Sequence, residues 1–164
     1  MRNTSHLRIV EDSASDAQLI ARNIESAGYA VRWERTDDAP GLQAALKRAD
    51  WDVILCDHGL AEFSGLAALA LVRATGQDVP FIIVSGTMGE DTAVAAMKAG
   101  AHDYALKGNL QRLVPAIEHE LREVEMHQHQ HQRQVGQAGR DFLFYPAGSG
   151  SSCRAPNKNQ TKQT

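Results

Sequence analysis

The chain has 164 residues, of which 43% are hydrophobic and 23% charged, a size and composition that suit one globular domain with an appendage. Its formal net charge of -3 gives no electrostatic reason to expect nucleic acid or an anionic membrane as a partner. No apolar run approaches the roughly 20 residues of a membrane helix and the N-terminus lacks a signal-peptide pattern, so we expect a cytoplasmic location.

The first half of the chain alternates between strand and helix patterns. In order, these predict a strand at 6–12, a helix at 13–29, a strand at 30–36 and a helix at 37–49. Ser13 or Ser15 can cap the first helix, and Gly28 is suited to its C-terminal end. Asp38 is a cap candidate for the second helix.

The second half continues the same alternation. It predicts a strand at 51–57, a helix at 65–74, a strand at 79–86, a helix at 90–100, a strand at 101–108 and a last helix from Asn109. The third and fourth strands are almost wholly apolar, as in strands covered on both faces, and Cys56 is expected to be a small buried residue. Five strands alternating with five helices predict an α/β fold, a doubly wound parallel sheet with helices on both faces.

The texture of the sequence changes after about residue 126. We predict one domain at 1–126 and a low-complexity, disordered tail at 127–164. His127, His129 and His131 are spaced two apart, which scatters them around a helix and disfavours a preformed metal site. The island "DFLFYP" within the tail could dock on the domain or on a partner.

Polar side chains stand where four of the predicted strands end. The first strand ends in Glu11 and Asp12, the third in Asp57, the fourth in Ser85 and the fifth in Lys107. Parallel strands of such sheets end at one crevice, where ligands bind, so these groups are expected to converge. Clustered carboxylates need positive charge beside them, which Lys107 and a hard divalent cation such as Mg²⁺ can supply.

This arrangement resembles the receiver domain of two-component response regulators over residues 6 to about 125. The matching elements are the acidic pair Glu11-Asp12, Asp57, Gly65 eight residues later, the Ser85-Gly86 step, and Tyr104 with Lys107. The resemblance implies a flavodoxin-like sheet with strand order 2-1-3-4-5.

The resemblance also implies a phosphoacceptor function. Asp57 would be the nucleophile that takes a phosphoryl group from the histidine of a partner histidine kinase or phosphotransfer protein. Asp12, Asp57 and the backbone carbonyl of Gly59 would bind Mg²⁺, with Glu11 coordinating directly or through water. The domain would not be an enzyme beyond slow loss of its own phosphoryl group.

Conformational switching is the third implication. Lys107 would pair with the phosphoryl oxygens, Ser85 would turn to hydrogen-bond them, and Tyr104 would rotate inward behind Ser85. The change would be read on the face of the fourth helix, fifth strand and fifth helix, where a homodimer could also form.

Four residues at three places in the chain depart from the family pattern. Leu60-Ala61 stands where Met-Pro is usual, which leaves the loop after Asp57 freer. Gly108 replaces a proline after Lys107, so Lys107 is expected to be held less rigidly. Gly86 replaces the usual alanine and leaves room at the site.

Two alternative functions remain open on the residues. One is a degenerate receiver that acts as an interaction module without phosphorylation, although the key side chains are all present. The other is an aspartate-nucleophile phosphohydrolase, which would need a second acid where Gly59 stands. A receiver could stand alone or form the N-terminal part of a longer hybrid protein.

Overall fold

A computed structural model describes residues 4–87 and 89–141, with 131–141 described by backbone alone. Its strands are β1 (Ser5–Val10), β2 (Val31–Thr36), β3 (Val53–Asp57), β4 (Phe81–Ser85) and β5 (Asp103–Leu106). Its helices are α1 (Ala14–Ser26), α2 (Ala39–Arg48), α3 (Gly65–Ala74), α4 (Glu90–Lys98) and α5 (Leu113–Asp141), with a 3-10 helix at Lys107–Arg112.

The five strands form one parallel sheet in the order β2-β1-β3-β4-β5. This order confirms the doubly wound, flavodoxin-like fold predicted from the sequence. Because β3 is the central strand, its last residue, Asp57, lies between the ends of β1 and β4. Asp57 is in register with Val84, and Ser85 is in register with Leu106.

Alternate strand residues pack into two hydrophobic clusters, one for each face of the sheet. Residues of α2, α3 and α4 join the first cluster with Ile54, Cys56, Phe81 and Ile83. Residues of α1 and α5 join the second with Leu7, Ile9, Leu55, Ile82 and Val84. Cys56 is fully buried as predicted, and burial raises the pKa of its thiol.

Helix caps begin the helices close to the predicted residues. Of the two serine candidates for α1, Ser13 is the cap, and its hydroxyl accepts from the Asp16 amide at 3.3 Å. Asp38 caps α2 by accepting from the Gly41 amide at 2.7 Å. Beyond the end of α1, Gly28 has a φ of 91°, a left-handed conformation that favours glycine. The Ser13 cap places Asp16 in the first turn of α1.

The last helix begins later than predicted, and its backbone runs past residue 126. Its α-helical part begins at Leu113 rather than Asn109, because the chain after β5 first forms the 3-10 helix and Asn109 has a non-helical φ of −140°. The helical backbone then continues to Asp141, past residue 126, since glutamine, glutamate and arginine are compatible with a helix. Residues 142–164, with most of the "DFLFYP" island, lie outside the described residues, and the predicted tail stays a prediction there.

Candidate functional site

Charged side chains at the carboxyl ends of the strands, together with one from the first turn of α1, form a group that we call the acidic crevice: Glu11, Asp12, Asp16, Asp57 and Lys107. The Lys107 ammonium nitrogen lies 2.7 Å from Glu11 Oε2 and 3.4 Å from Asp57 Oδ2. Residues that are far apart in the chain meet here because parallel strands end at the same edge of the sheet.

Three of these acids form a cluster that could hold a metal ion. One oxygen each from Glu11, Asp12 and Asp57 lies within 4.8 Å of the others. Glu11 is 1% exposed and Asp57 8% exposed, whereas Asp12 faces solvent. A set of carboxylate oxygens with one open side suits Mg²⁺, which prefers oxygen ligands and retains water.

Burial and pairing shift the proton affinities of the crevice in opposite directions. Burial raises the pKa of Glu11 above its ordinary value, although hydrogen bonds with Lys107 and the Ser13 amide oppose this. A hydrogen bond with the Glu11 carboxyl lowers the pKa of Asp12. Burial alone would lower the pKa of Lys107, but hydrogen bonds with Asp16 and Glu11 and the charge of Asp57 raise it. Lys107 is therefore a permanent cation in the crevice.

The backbone under Asp57 is closely packed. The Gly59 amide lies 3.4 Å from Asp57 Oδ1, and the Gly65 amide donates to the His58 carbonyl at 3.2 Å. A Cβ on Gly65 would lie 3.1 Å from the Asp57 carbonyl oxygen and equally close to the His58 Cα, so a side chain there would force the backbone to shift. A glycine at the start of α3 thus lets the helix approach the end of β3.

Ser85 and Tyr104, the predicted switch residues, sit on neighbouring strands. Ser85 is 4% exposed, and its hydroxyl donates to the Thr87 carbonyl at 3.1 Å. Tyr104 is half-buried and packs against the hydrophobic cluster that contains Ala96 and Ala101. In this structure the Ser85 hydroxyl is thus engaged with the loop after β4.

Two contacts of the crevice were not predicted from the sequence. Asp16 Oδ2 lies 2.7 Å from the Lys107 ammonium nitrogen, as close as Glu11. The Arg35 guanidinium on β2 donates to the Glu11 carbonyl at 2.9 Å and steadies the loop after β1. An acid in the first turn of a helix is common because it suits the helix dipole, so the sequence carried no signal that Asp16 faces the site.

In the ranges that the structure describes, each helix is too short or too polar to span a bilayer.

Comparisons with known proteins agree with this architecture. The family model of the response regulator receiver domain matches residues 7–118. The transcriptional regulatory protein ZraR of Salmonella typhimurium is 30% identical over 122 residues, which are 74% of this chain and 27% of that protein. The nitrogen assimilation regulatory protein NtrX of Azorhizobium caulinodans is 32% identical over 123 residues, 73% of this chain and 27% of that protein. This chain therefore spans about a quarter of the length of these relatives.

Solved structures give the same result. The crystal structure of a response regulator protein from Burkholderia pseudomallei with a phosphorylated aspartic acid, calcium ion and citrate matches at a TM-score of 0.60 and 26% identity, covering 76% of this chain and 72% of that one. A phosphoacceptor function in two-component signalling fits these matches, and neither the degenerate-receiver nor the phosphohydrolase alternative is favoured by them. The chain belongs to the response regulator receiver domain family.

Proposed function

We propose that Asp57 is the residue that accepts the phosphoryl group. The observation that carries the proposal is a buried carboxylate at the end of the central strand, 3.4 Å from a permanently charged lysine. One carboxylate oxygen of Asp57 attacks the phosphorus, the bond from phosphorus to the donor's histidine nitrogen breaks, and that nitrogen keeps the electron pair. The product is an acyl phosphate on Asp57. The phosphorylated aspartic acid of the Burkholderia pseudomallei relative supports this chemistry.

The donor set of the crevice fits Mg²⁺. Glu11, Asp12 and Asp57, together with the backbone carbonyl of Gly59, are the residues that would hold it. When bound, Mg²⁺ would neutralise charge on the phosphoryl oxygens. Burial of Glu11 and exposure of Asp12 leave the set open to solvent on one side, where the donor's phosphoryl group can enter.

Lys107, Ser85 and Tyr104 would respond to the new phosphoryl group. Lys107 already lies beside Asp57 and would pair with a phosphoryl oxygen as a point charge. Ser85 would exchange its bond to the Thr87 carbonyl for one to the phosphoryl group, and Tyr104 would follow inward. The Thr87 carbonyl and the phosphoryl group would thus compete for the single hydroxyl proton of Ser85.

The response would be read on the face of α4, β5 and α5. Val94, Met97 and Leu106 are large apolar side chains on this face that remain exposed to solvent. Exposed apolar residues favour a contact with a partner, and a second copy of the chain is the contact we propose. A histidine kinase or phosphotransfer protein would supply the phosphoryl group; the domain itself would do no more than release it slowly. The cytoplasmic location stays a prediction.

The experiment is to incubate the chain with Mg²⁺ and acetyl phosphate and to measure phosphoryl incorporation by intact mass. We expect one base-labile phosphoryl group on the wild type and on the control Asp78→Ala, which changes an exposed acid, and none on Asp57→Ala. Equal labelling of Asp57→Ala and wild type would overturn the assignment. Rapid turnover of a phosphomonoester would instead favour the hydrolase.

A further inference from the structure

We propose that Asp16 is a positioning residue that restrains Lys107 and thereby weakens the hold of the site on the phosphoryl group. The inference rests on the proposed function, since it concerns a phosphoryl group on Asp57. It gives a role to the one acid of the crevice that the strand ends do not supply.

The distances around the Lys107 ammonium carry the inference. The nitrogen donates a hydrogen bond of 2.7 Å to an oxygen of Asp16 and forms an ion pair of 2.7 Å with an oxygen of Glu11. The distance to Asp57 is 3.4 Å, beyond the range of charge-assisted hydrogen bonds. The Lys107 ammonium is therefore closer to Glu11 and Asp16 than to Asp57, the predicted phosphoacceptor.

Asp16 is well placed to act as a restraint. It is in the first turn of α1, behind the Ser13 cap, where the helix dipole stabilises its negative charge. Its side chain is 42% exposed, whereas that of Lys107 is 19% exposed. Among the described residues, the cluster able to hold a metal consists of Glu11, Asp12 and Asp57, so the link from Asp16 to the site runs through Lys107.

Competition for one ammonium group follows from this geometry. A phosphoryl group on Asp57 adds anionic oxygens that attract Lys107, and the contact with Asp16 opposes that movement. Removing the charge of Asp16 should let Lys107 move toward the phosphoryl group. The phosphorylated state would then be favoured more strongly than in the wild type.

The direct test measures the affinity of the chain for beryllofluoride, an analogue of the phosphoryl group, at saturating Mg²⁺. We expect Asp16→Asn to bind it about fivefold more tightly, a size typical of a partly exposed ion pair. Asp16→Glu keeps the carboxylate and should return to within about twofold of the wild type. Glu25→Gln removes an exposed charge from the same helix and should have no effect. Equal or weaker binding by Asp16→Asn would overturn the inference.

A second measurement shows whether Asp16 acts through Lys107. In urea unfolding without metal, Asp16→Asn should destabilise the wild type because it removes an ion-pair partner. In a Lys107→Met background it should stabilise the fold, because it then removes one of several neighbouring carboxylates that repel each other. The same sign in both backgrounds would contradict the inference, whatever the affinity data show.

The two proposals fail in different ways. A wild type that neither accepts a phosphoryl group from acetyl phosphate nor binds beryllofluoride would overturn the assignment of Asp57, and the role of Asp16 with it. A wild type that does both, with Asp16→Asn indistinguishable from it, would overturn the role of Asp16 alone.

Discussion

Two clusters of partly buried charges lie within the described part of the chain, and they have opposite proportions of acidic and basic residues. In the acidic crevice one lysine faces four carboxylates. In the second cluster one glutamate faces two arginines: Glu34 Oε2 on β2 lies 3.1 Å from the guanidinium of Arg8 on β1 and also contacts that of Arg48, the last residue of α2. We call this second group the arginine pair. Both clusters contain a nearly buried charge, Glu11 in the first and Arg8 in the second.

The charges of the arginine pair are balanced within the protein, although the buried Arg8 Nε has no hydrogen-bond partner among the described residues. The side chain of Glu34 is 45% exposed and that of Arg48 61% exposed, so both charges remain partly solvated. Arg8 is in register with Glu34, and its guanidinium stands 5.2 Å from the centre of the Trp51 ring, which adds a cation–π contact. Burial lowers the pKa of Arg8, and the charge of Glu34 offsets part of that shift. These contacts account for the cluster as part of the folded structure, without a ligand.

The acidic crevice is not balanced in this way. One cation cannot compensate four carboxylates, and two of these, Glu11 and Asp57, are buried. Uncompensated buried charge is costly, and such groups cluster at sites that bind a ligand or carry out a reaction. The surplus of negative charge, rather than burial alone, therefore distinguishes the acidic crevice from the arginine pair.

The largest effect should come from removing the cation of the crevice. We expect Lys107→Met to lower the free energy of unfolding by about 2 kcal/mol at neutral pH without metal, because the buried carboxylates lose the ammonium group that lies 2.7 Å from Glu11 and 3.4 Å from Asp57. The loss should shrink in acid, where Glu11, whose pKa is raised by burial, becomes protonated. Lys47→Met, at an exposed position on α2, is the matched control for urea unfolding. An equal loss of stability in both variants would show that Lys107 does not stabilise the carboxylates of the crevice.

A smaller effect is expected in the arginine pair. Glu34→Gln should cost about 1 kcal/mol, because Arg8 keeps its buried charge and loses its partner. Replacing the buried arginine together with its strand partner, Arg8→Met with Glu34→Gln, should restore most of this stability, since no buried charge is left. Urea denaturation of the two single variants and the double variant measures this. A double variant as unstable as the sum of the single changes would mean that packing of Arg8 on Trp51, rather than charge, holds the cluster.

The smallest effect is a change in pH dependence at Glu11. Its folded-state pKa is raised above the ordinary value of 4.5, so between that pH and the raised value the native state binds more protons than the unfolded state. The stability of the metal-free wild type should therefore fall as the pH rises through this window. Glu11→Gln should remove this component from the pH profile of the unfolding free energy. An unchanged slope would show that Lys107 fully compensates the buried carboxylate.

The fold could be predicted from local patterns. Alternating apolar runs and three-to-four spacings marked every strand and helix, and the caps Asp38 and Ser13 placed the starts of two helices. The acids that end the strands indicated which edge of the sheet carries the site, whereas the strand order was implied by the resemblance to receiver domains. These features depend on periodicity and on the chemistry of neighbouring residues, which a sequence displays directly.

The tertiary structure alone decided which charges meet. Asp16 and Lys107 are 91 residues apart, and Glu34 is 26 residues from Arg8. It also decided that a 3-10 helix at Lys107–Arg112 precedes the α-helical part of the last helix. Periodicity determines which face of an element is buried, but contacts between long charged side chains depend on how packing places one element against another. The sequence therefore determined the strands, the helices and the acids at the strand ends. The packing of these elements determined which charged side chains lie beside those acids.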